Sequence, residues 1–354
     1  MYKKFFMGIA AMTALTLVSC SSDDLNSLSD NSSKNEAISF DGYLGRSAVS
    51  VNGSRGSELN LTALQMPTEG FGVFGDYKNA DETTTAYGEN LFKNVHVTYS
   101  TDKTKWTYTS VKYWPTEGHI DFLAYAPYVG ETSLKNNTSI DFTVEKDVAK
   151  QKDLLWANAK EQTMQTISST ENKVKFQFAH ALSRLGYTVK LKEAYSDATI
   201  TLKKITLAGS ADGTKEAFYK NGTIDLSKDN NATNLWTIST PATKQNFDWF
   251  SSEQKVTSTS AANPKTDYLF VIPQDFSQKT PDADELYVIV EYTIQTGSTA
   301  IMTSKVSSKI TRNFLQGKAY MINLTIGLTP IEFTAKVTDW DIPTDGDINI
   351  NSWN

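Results

Sequence analysis

Few residues in this chain have the type and spacing to do chemistry. Its three histidines, His96, His119 and His180, are far apart. None shows a ligand spacing such as two residues four apart on a helix, so no metal is expected. His180 stands near Ser183 in "FAHALSRL", which invites a nucleophile and its base. A serine of that kind sits on a strained turn flanked by glycines, which is missing here, and a packed or hydrogen-bonded structural histidine is the expectation. Gly70, Gly72 and Gly75 in "GFGVFG" copy a dinucleotide-binding spacing. That motif works where a strand turns into a helix whose N-terminus meets phosphate, whereas these glycines alternate inside a strand-like segment. The acidic stretch "DWDIPTDGD" near the end lacks the ligand order and terminal Glu of an EF-hand and reads as solvated turn. No enzyme activity and no cofactor is expected.

The remaining reactive group is Cys20, the single cysteine of 354 residues. Lys3 and Lys4 precede an apolar run from Phe5 to Val18, the layout of a secretory signal peptide. As a helix that run rises only about 21 Å, short of the ~30 Å hydrocarbon core of a bilayer. Leu17, Val18 and Ser19 directly before the thiol resemble the lipobox of bacterial lipoproteins, in which the sulfur receives a lipid and cleavage leaves cysteine first. Residues 1–19 are then a lipoprotein signal peptide, and Cys20 is the lipidation site and mature N-terminus. The alternative is a buried apolar cysteine beside an ordinary signal peptide. With no partner cysteine for a disulfide, lipid attachment is the better account. Residues 20–36, rich in Ser, Asn and Asp, have too little apolar surface to fold and form a flexible tether. Asp23 and Asp24 in it resemble a surface-export signal on lipoproteins of some gut and oral anaerobes.

Past the tether the dominant hydrophobic period is two, the signature of half-buried strands. "ISFDGYL" places Ile38, Phe40 and Leu44 on one face, "LFKNVHVTY" places Leu91, Val95, Val97 and Tyr99, and "SIDFTV" places Ile140, Phe142 and Val144. The pattern continues in "DYLFVIP", "ELYVIVEYTIQ", "IMTSKVSSKI", "AYMINLTIGL" and "IEFTAKVTDW", and Asn221-Gly222 signals a hairpin. The best helical candidate, a short piece of "NAKEQTMQTIS", reads as part of a connecting loop. In "VKFQFAHALSRLGYTVKL" the apolar positions switch from even to odd numbers. A period-two strand does this only through a bulge or break, placed near Ala181 to Arg184. The fold class is therefore all-β, with two consecutive β-sandwich domains, residues 37–180 and 181–354. A net charge of −6 without a Lys/Arg cluster argues against nucleic acid as a partner. The aromatic run Trp106, Tyr108, Tyr113, Trp114, with Tyr125 and Tyr128 beyond, suits packing between strands more than a platform for sugar rings.

In order after the lipobox come "VKYWPTEGHIDFLAYAP", "DLLWANAK", "FQFAHALSRL", "FVIPQ" and "GKAYMINLTIGL…FTAKVTDWD". This series resembles the fimbrillin family of surface pilus subunits across nearly the whole mature chain. The resemblance implies two transthyretin-like β-sandwich domains, transport as a lipoprotein to the outer membrane and cell surface, and assembly into a fimbrium by strand exchange in support of adhesion. Its implied partners are other fimbrial subunits, the outer membrane through the lipid, and host or bacterial surface receptors. Family members processed in this way are cut after an arginine in the loop following the first strand. Here that points to Arg46 first and Arg55 second, with "ISFDGYL" as the strand lost. The donor strand is left open between "IEFTAKV" and "GDINI". The competing readings are a monomeric glycan-binding surface lipoprotein and, more distantly, a secreted hydrolase.

Overall fold

β-Branched and aromatic side chains pack well on a pleated surface, and the alternating segments fold as strands. The computed structural model describes residues 36–44, 59, 61–66, 68–81, 90–229, 232, 234–259, 261–262, 268–280, 282–298, 300–327, 332–339 and 347–350. Cys20, Arg46, Arg55, the signal peptide, the tether up to residue 35 and most of the acidic stretch near the end lie outside the described residues. The described residues belong to one compact unit, Asn35–Asn354.

In chain order the strands begin with β1 (Phe40–Leu44), β2 (Phe71–Lys78), β3 (Phe92–Ser100), β4 (Lys105–Thr107), β5 (His119–Ala126), β6 (Ser139–Thr143), β7 (Leu155–Gln162) and β8 (Val174–His180). There follow β9 (Ser183–Leu191), β10 (Ala198–Ala208), β11 (Phe218–Tyr219), β12 (Asn221–Asp225), β13 (Trp236–Thr237), β14 (Lys244–Gln245), β15 (Phe247–Lys255) and β16 (Ala261–Ala262). The last are β17 (Leu269–Val271), β18 (Gln274–Asp275), β19 (Tyr287–Thr296), β20 (Ala300–Lys309), β21 (Asn313–Phe314), β22 (Lys318–Ile326), β23 (Glu332–Asp339) and β24 (Asp347–Ile350). Among the described residues the α-helices are two single turns, α1 (Leu61–Leu64) and α2 (Met164–Ile167). α2 falls inside "NAKEQTMQTIS"; a capping box between Thr163 and Thr166 starts it, and Ile167 is buried beneath it.

The largest sheet has the order β1-β8-β7-β5-β2-β3-β4. A second has the order β16-β9-β22-β23-β24, with β17 also paired to β9, and a third the order β15-β10-β19-β20. β12 joins β13 to β6, drawing a strand from early in the chain against one from its middle. Apolar side chains gather in two clusters. One consists of residues between Ile38 and Phe178; the other holds Phe74, Leu123, Tyr125, Ile140 and Trp156 together with the apolar residues from Ala181 onward. Consecutive positions of a strand face opposite ways. Phe71, Val73, Ile120 and Phe122 therefore serve the first cluster, and Phe74, Leu123 and Tyr125 the second.

The parity switch marks a change of sheet. β8 ends at His180 beside β7 and β1, and β9 begins at Ser183 between β22, β16 and β17. Two expectations need correction. At the start of β3 it is Phe92 that enters the core, while Leu91 is half-buried, because the register against β2 shifts between the Val73–Val95 and Gly75–Phe92 pairs. Asn94, with φ of 46°, sits in that bulge. Asn221-Gly222 makes no hairpin turn: both residues lie within β12, where Asn221 pairs with Thr143 and Gly222 with Phe142. A Cβ on Gly222 would meet Cδ1 of Ile238 at 2.9 Å, so this glycine permits a close approach. Leu44 packs against the first cluster only partly buried, unlike Ile38 and Phe40.

Candidate functional site

β1 is the edge strand of the seven-stranded sheet, and it pairs in parallel with β8, Phe40 opposite Val174 and Leu44 opposite Phe178. A parallel neighbour must come from a distant part of the chain. The residues before β1 make their own contacts. Ile38 N–H donates to Lys112 O at 2.8 Å, and Trp114 N–H donates to Glu36 O at 3.0 Å. The Tyr108 hydroxyl donates to Ile38 O at 2.8 Å, and Ser39 Oγ donates to Asn172 O at 3.0 Å. Burial pushes the Tyr108 hydroxyl above its ordinary pKa, which favours the neutral donor.

The strand's apolar face fills a groove made by the rest of the domain. The Phe40 ring lies 5.4 Å from those of Phe92 and Phe122, 5.5 Å from Tyr108 and 5.7 Å from Phe176. Ile38 and Phe40 are 2% and 3% exposed. Gly42 keeps the next inward position bare, because a Cβ there would come within 3.2 Å of Phe178 and 3.3 Å of Phe71. The outward Tyr43, by contrast, is 41% exposed. Taking β1 away would open an apolar groove along β8 and leave β8's ladder groups on that side unpaired, the situation that invites strand addition.

The aromatic run proves to be packing. Trp106, Trp114 and Tyr125 are buried, and Tyr108 packs against the first cluster. Tyr113 is exposed, and Tyr128 stacks on His96 with ring centroids 3.9 Å apart. His180 and Ser183 are not brought together as base and nucleophile. His180 Nδ1 lies 2.6 Å from Oδ2 of the buried Asp153, while Ser183 Oγ donates to Leu315 O at 2.8 Å. Asp153 had no signal in the sequence; it also accepts the backbone N–H of Leu59 and Leu154. Among the described residues no group of three His, Cys, Asp or Glu side chains is placed to hold a metal ion. Gly72 and Gly75 lie within β2, not at the head of a helix.

At the other end of the chain β23 runs antiparallel to β22, and β24 runs antiparallel to β23 as the edge of its sheet. The two segments between which the donor was left open are thus neighbouring strands.

Comparison with known proteins bears on this architecture. The crystal structure of a fimbrial protein from Bacteroides vulgatus is similar with a TM-score of 0.65 at 21% identity, covering 86% of this chain and 99% of that one. A Bacteroides uniformis structure described as a cell adhesion protein gives a TM-score of 0.48 at 16% identity, with 86% and 98% covered. The first of these shows a common fold, in keeping with an all-β, multi-sheet sandwich architecture. No curated protein matches the sequence. A family model described as fimbrillin-like matches residues 63–340, well over half of the sequence, and the chain belongs to that family.

Proposed function

We propose that the chain is a structural subunit of a cell-surface fimbrium that joins its neighbours by strand exchange and supports adhesion. In this reading it is exported as a lipoprotein, anchored to the outer membrane through Cys20, and divided into functional domains at 37–180 and 181–354. Cleavage after β1, at Arg46 or Arg55, removes β1, and a strand of the next subunit enters the groove. Family membership supports the fimbrial role. The observation that carries the assembly step is that β1, which precedes both arginines, is a sheet edge, and that Phe40 in it and Ile38 just before it are buried, with Phe40 plugging an aromatic groove. Burying those two side chains is worth about 3–6 kcal/mol together, against a typical stability of about 5–15 kcal/mol. A processed subunit is therefore short of much of its stability until a donor arrives. β23 and β24 remain alternative donors.

The test is digestion of the purified chain by an arginine-specific protease, followed by electrophoresis in SDS without boiling. A ladder of stable polymers is expected from the parent. The Arg46→Ala, Arg55→Ala double variant should stay monomeric. Failure of the parent to ladder once β1 has been cut off would sink the strand-exchange reading, and equal laddering by the double variant would sink arginine-directed processing.

A further inference from the structure

Three buried ionisable side chains stand together at the centre of the seven-stranded sheet. β2 and β5 are antiparallel neighbours in which Asp76 pairs with Asp121 and Lys78 with His119. Residues two apart on a strand share a face, as do residues directly opposite, so all four project from one side of the sheet. Asp76, Lys78 and Asp121 are 4%, 5% and 6% exposed. Lys78 Nζ lies 2.9 Å from Asp121 Oδ2. With a carboxyl C–O bond of about 1.2 Å, Cγ of Asp121 is then within about 4 Å of the nitrogen, close to the ~3–3.5 Å of a near-attack geometry. The other oxygen, Oδ1, accepts the backbone N–H of Glu161 at 2.6 Å and lies 3.9 Å from His119 Nε2.

As a simple ion pair this arrangement is expensive. Removing charges from water costs several kcal/mol per ion, recovered only when they are well matched. Here the Lys78 and Asp121 side chains are 6% and 9% exposed, and Asp76 stands directly across the ladder from Asp121. A neutral covalent product would remove the cost. The sequence holds a single cysteine, so no disulfide can tie the sheet together.

We propose that Lys78 and Asp121 are joined by an intramolecular isopeptide bond, with Asp76 carrying the protons. Lys78 first passes one proton to Oδ2 of Asp121, the oxygen 2.9 Å from its nitrogen. The amine lone pair attacks Cγ of Asp121, and the charge developing on Oδ1 falls on the Glu161 N–H, which is already in place to receive it. Asp76 takes the second proton from nitrogen and delivers it to Oδ2, which leaves as water. One N–C bond forms and one C–O bond breaks. An ammonium and a carboxylate become an amide and one water, and nothing is oxidised or reduced. Exclusion of solvent protects the product from hydrolysis.

Peptide mapping of the denatured full chain by mass spectrometry decides the matter. The expected result is a branched tryptic peptide joining the segments that contain Lys78 and Asp121, one water lighter than the two apart, with no cleavage after Lys78. Lys78→Arg, which keeps the charge but is not a nucleophile, should give only linear peptides. Asp76→Asn should abolish the link and Asp76→Glu restore part of it. Lys78 found in a linear peptide of full mass in the parent, or the water traced to a ring closed at Asp121 alone, overturns the bond. A fully linked Asp76→Asn chain overturns the role of Asp76. Because the parent alone settles whether the bond exists, poor folding of a variant does not blur the answer.

Discussion

Replacing Phe40 by alanine tests whether the first strand is part of the fold or an ornament on it. The ring is 3% exposed and has four aromatic neighbours with centroids between 5.4 and 5.7 Å away. Those neighbours belong to β3, β5 and β8 and to Tyr108, the residue that follows β4, so they are anchored separately and cannot all close in on the space left. Phe→Ala at a buried site costs about 3–5 kcal/mol, and a pocket that cannot collapse belongs at the upper end, about 4–5 kcal/mol. Tyr43→Ala on the same strand is the control. Its side chain is 41% exposed and its contact with Gln177 Oε1 is long, at 3.4 Å, so its loss should cost less than about 1 kcal/mol. The assay is urea denaturation of both variants, with hydrogen exchange of the Val174–His180 amides as the local readout beside the strand. Phe40→Ala should lower the midpoint several times more than Tyr43→Ala and should raise exchange along β8 first. Equal midpoints for the two variants, or unchanged exchange in β8, would refute the claim that β1 plugs a structural groove.

Cys20→Ala should block lipid attachment and release the protein from the outer membrane; mass spectrometry finding an unmodified Cys20 in membrane-derived parent protein would contradict this. Gly72→Ala should cost about 1–3 kcal/mol by overpacking, because the new Cβ would run into the buried Tyr125 ring and stand 2.7 Å from Asn94 Oδ1; calorimetry showing an unchanged melting temperature would oppose it. Tyr108 gives a pH signature. Its hydroxyl is held by burial above the ordinary value of 10.0, so its contribution is complete below about pH 10 and is lost as pH rises through the folded value. Urea midpoints of the parent should fall in that alkaline range, and a Tyr108→Phe variant that falls just as steeply would rule out this residue as the cause.

Local pattern made the class of fold legible. Alternation in "SIDFTV" put Ile140, Phe142 and Val144 on one face, and all three join the second cluster, Phe142 only partly buried, because pleat geometry alone sends alternate side chains to one face. The parity switch between Phe178 and Leu185 could be located to within a few residues for the same reason, since one extended strand cannot change face. The failures arose where a partner decides. Leu91 and Phe92 exchange roles because β3 absorbs an extra residue against β2, and a bulge is specified by the strand opposite. Asn221-Gly222 has the composition of a turn, yet lies paired to β6, from a segment some eighty positions earlier that no local window contains.

The amino-acid sequence by itself determined an all-β chain with one thiol and an alternating first strand. These are properties of composition and of a period that the backbone imposes on every strand. Only the tertiary structure decided that β1 docks in parallel on β8, that Phe40 is ringed by aromatics from distant strands, that His180 meets Asp153, and that Asp76, Lys78 and Asp121 share one closed site. Each of these depends on which strands become neighbours and in what register. That choice is made by burial summed over the whole sheet, not by the residues on either side in the chain.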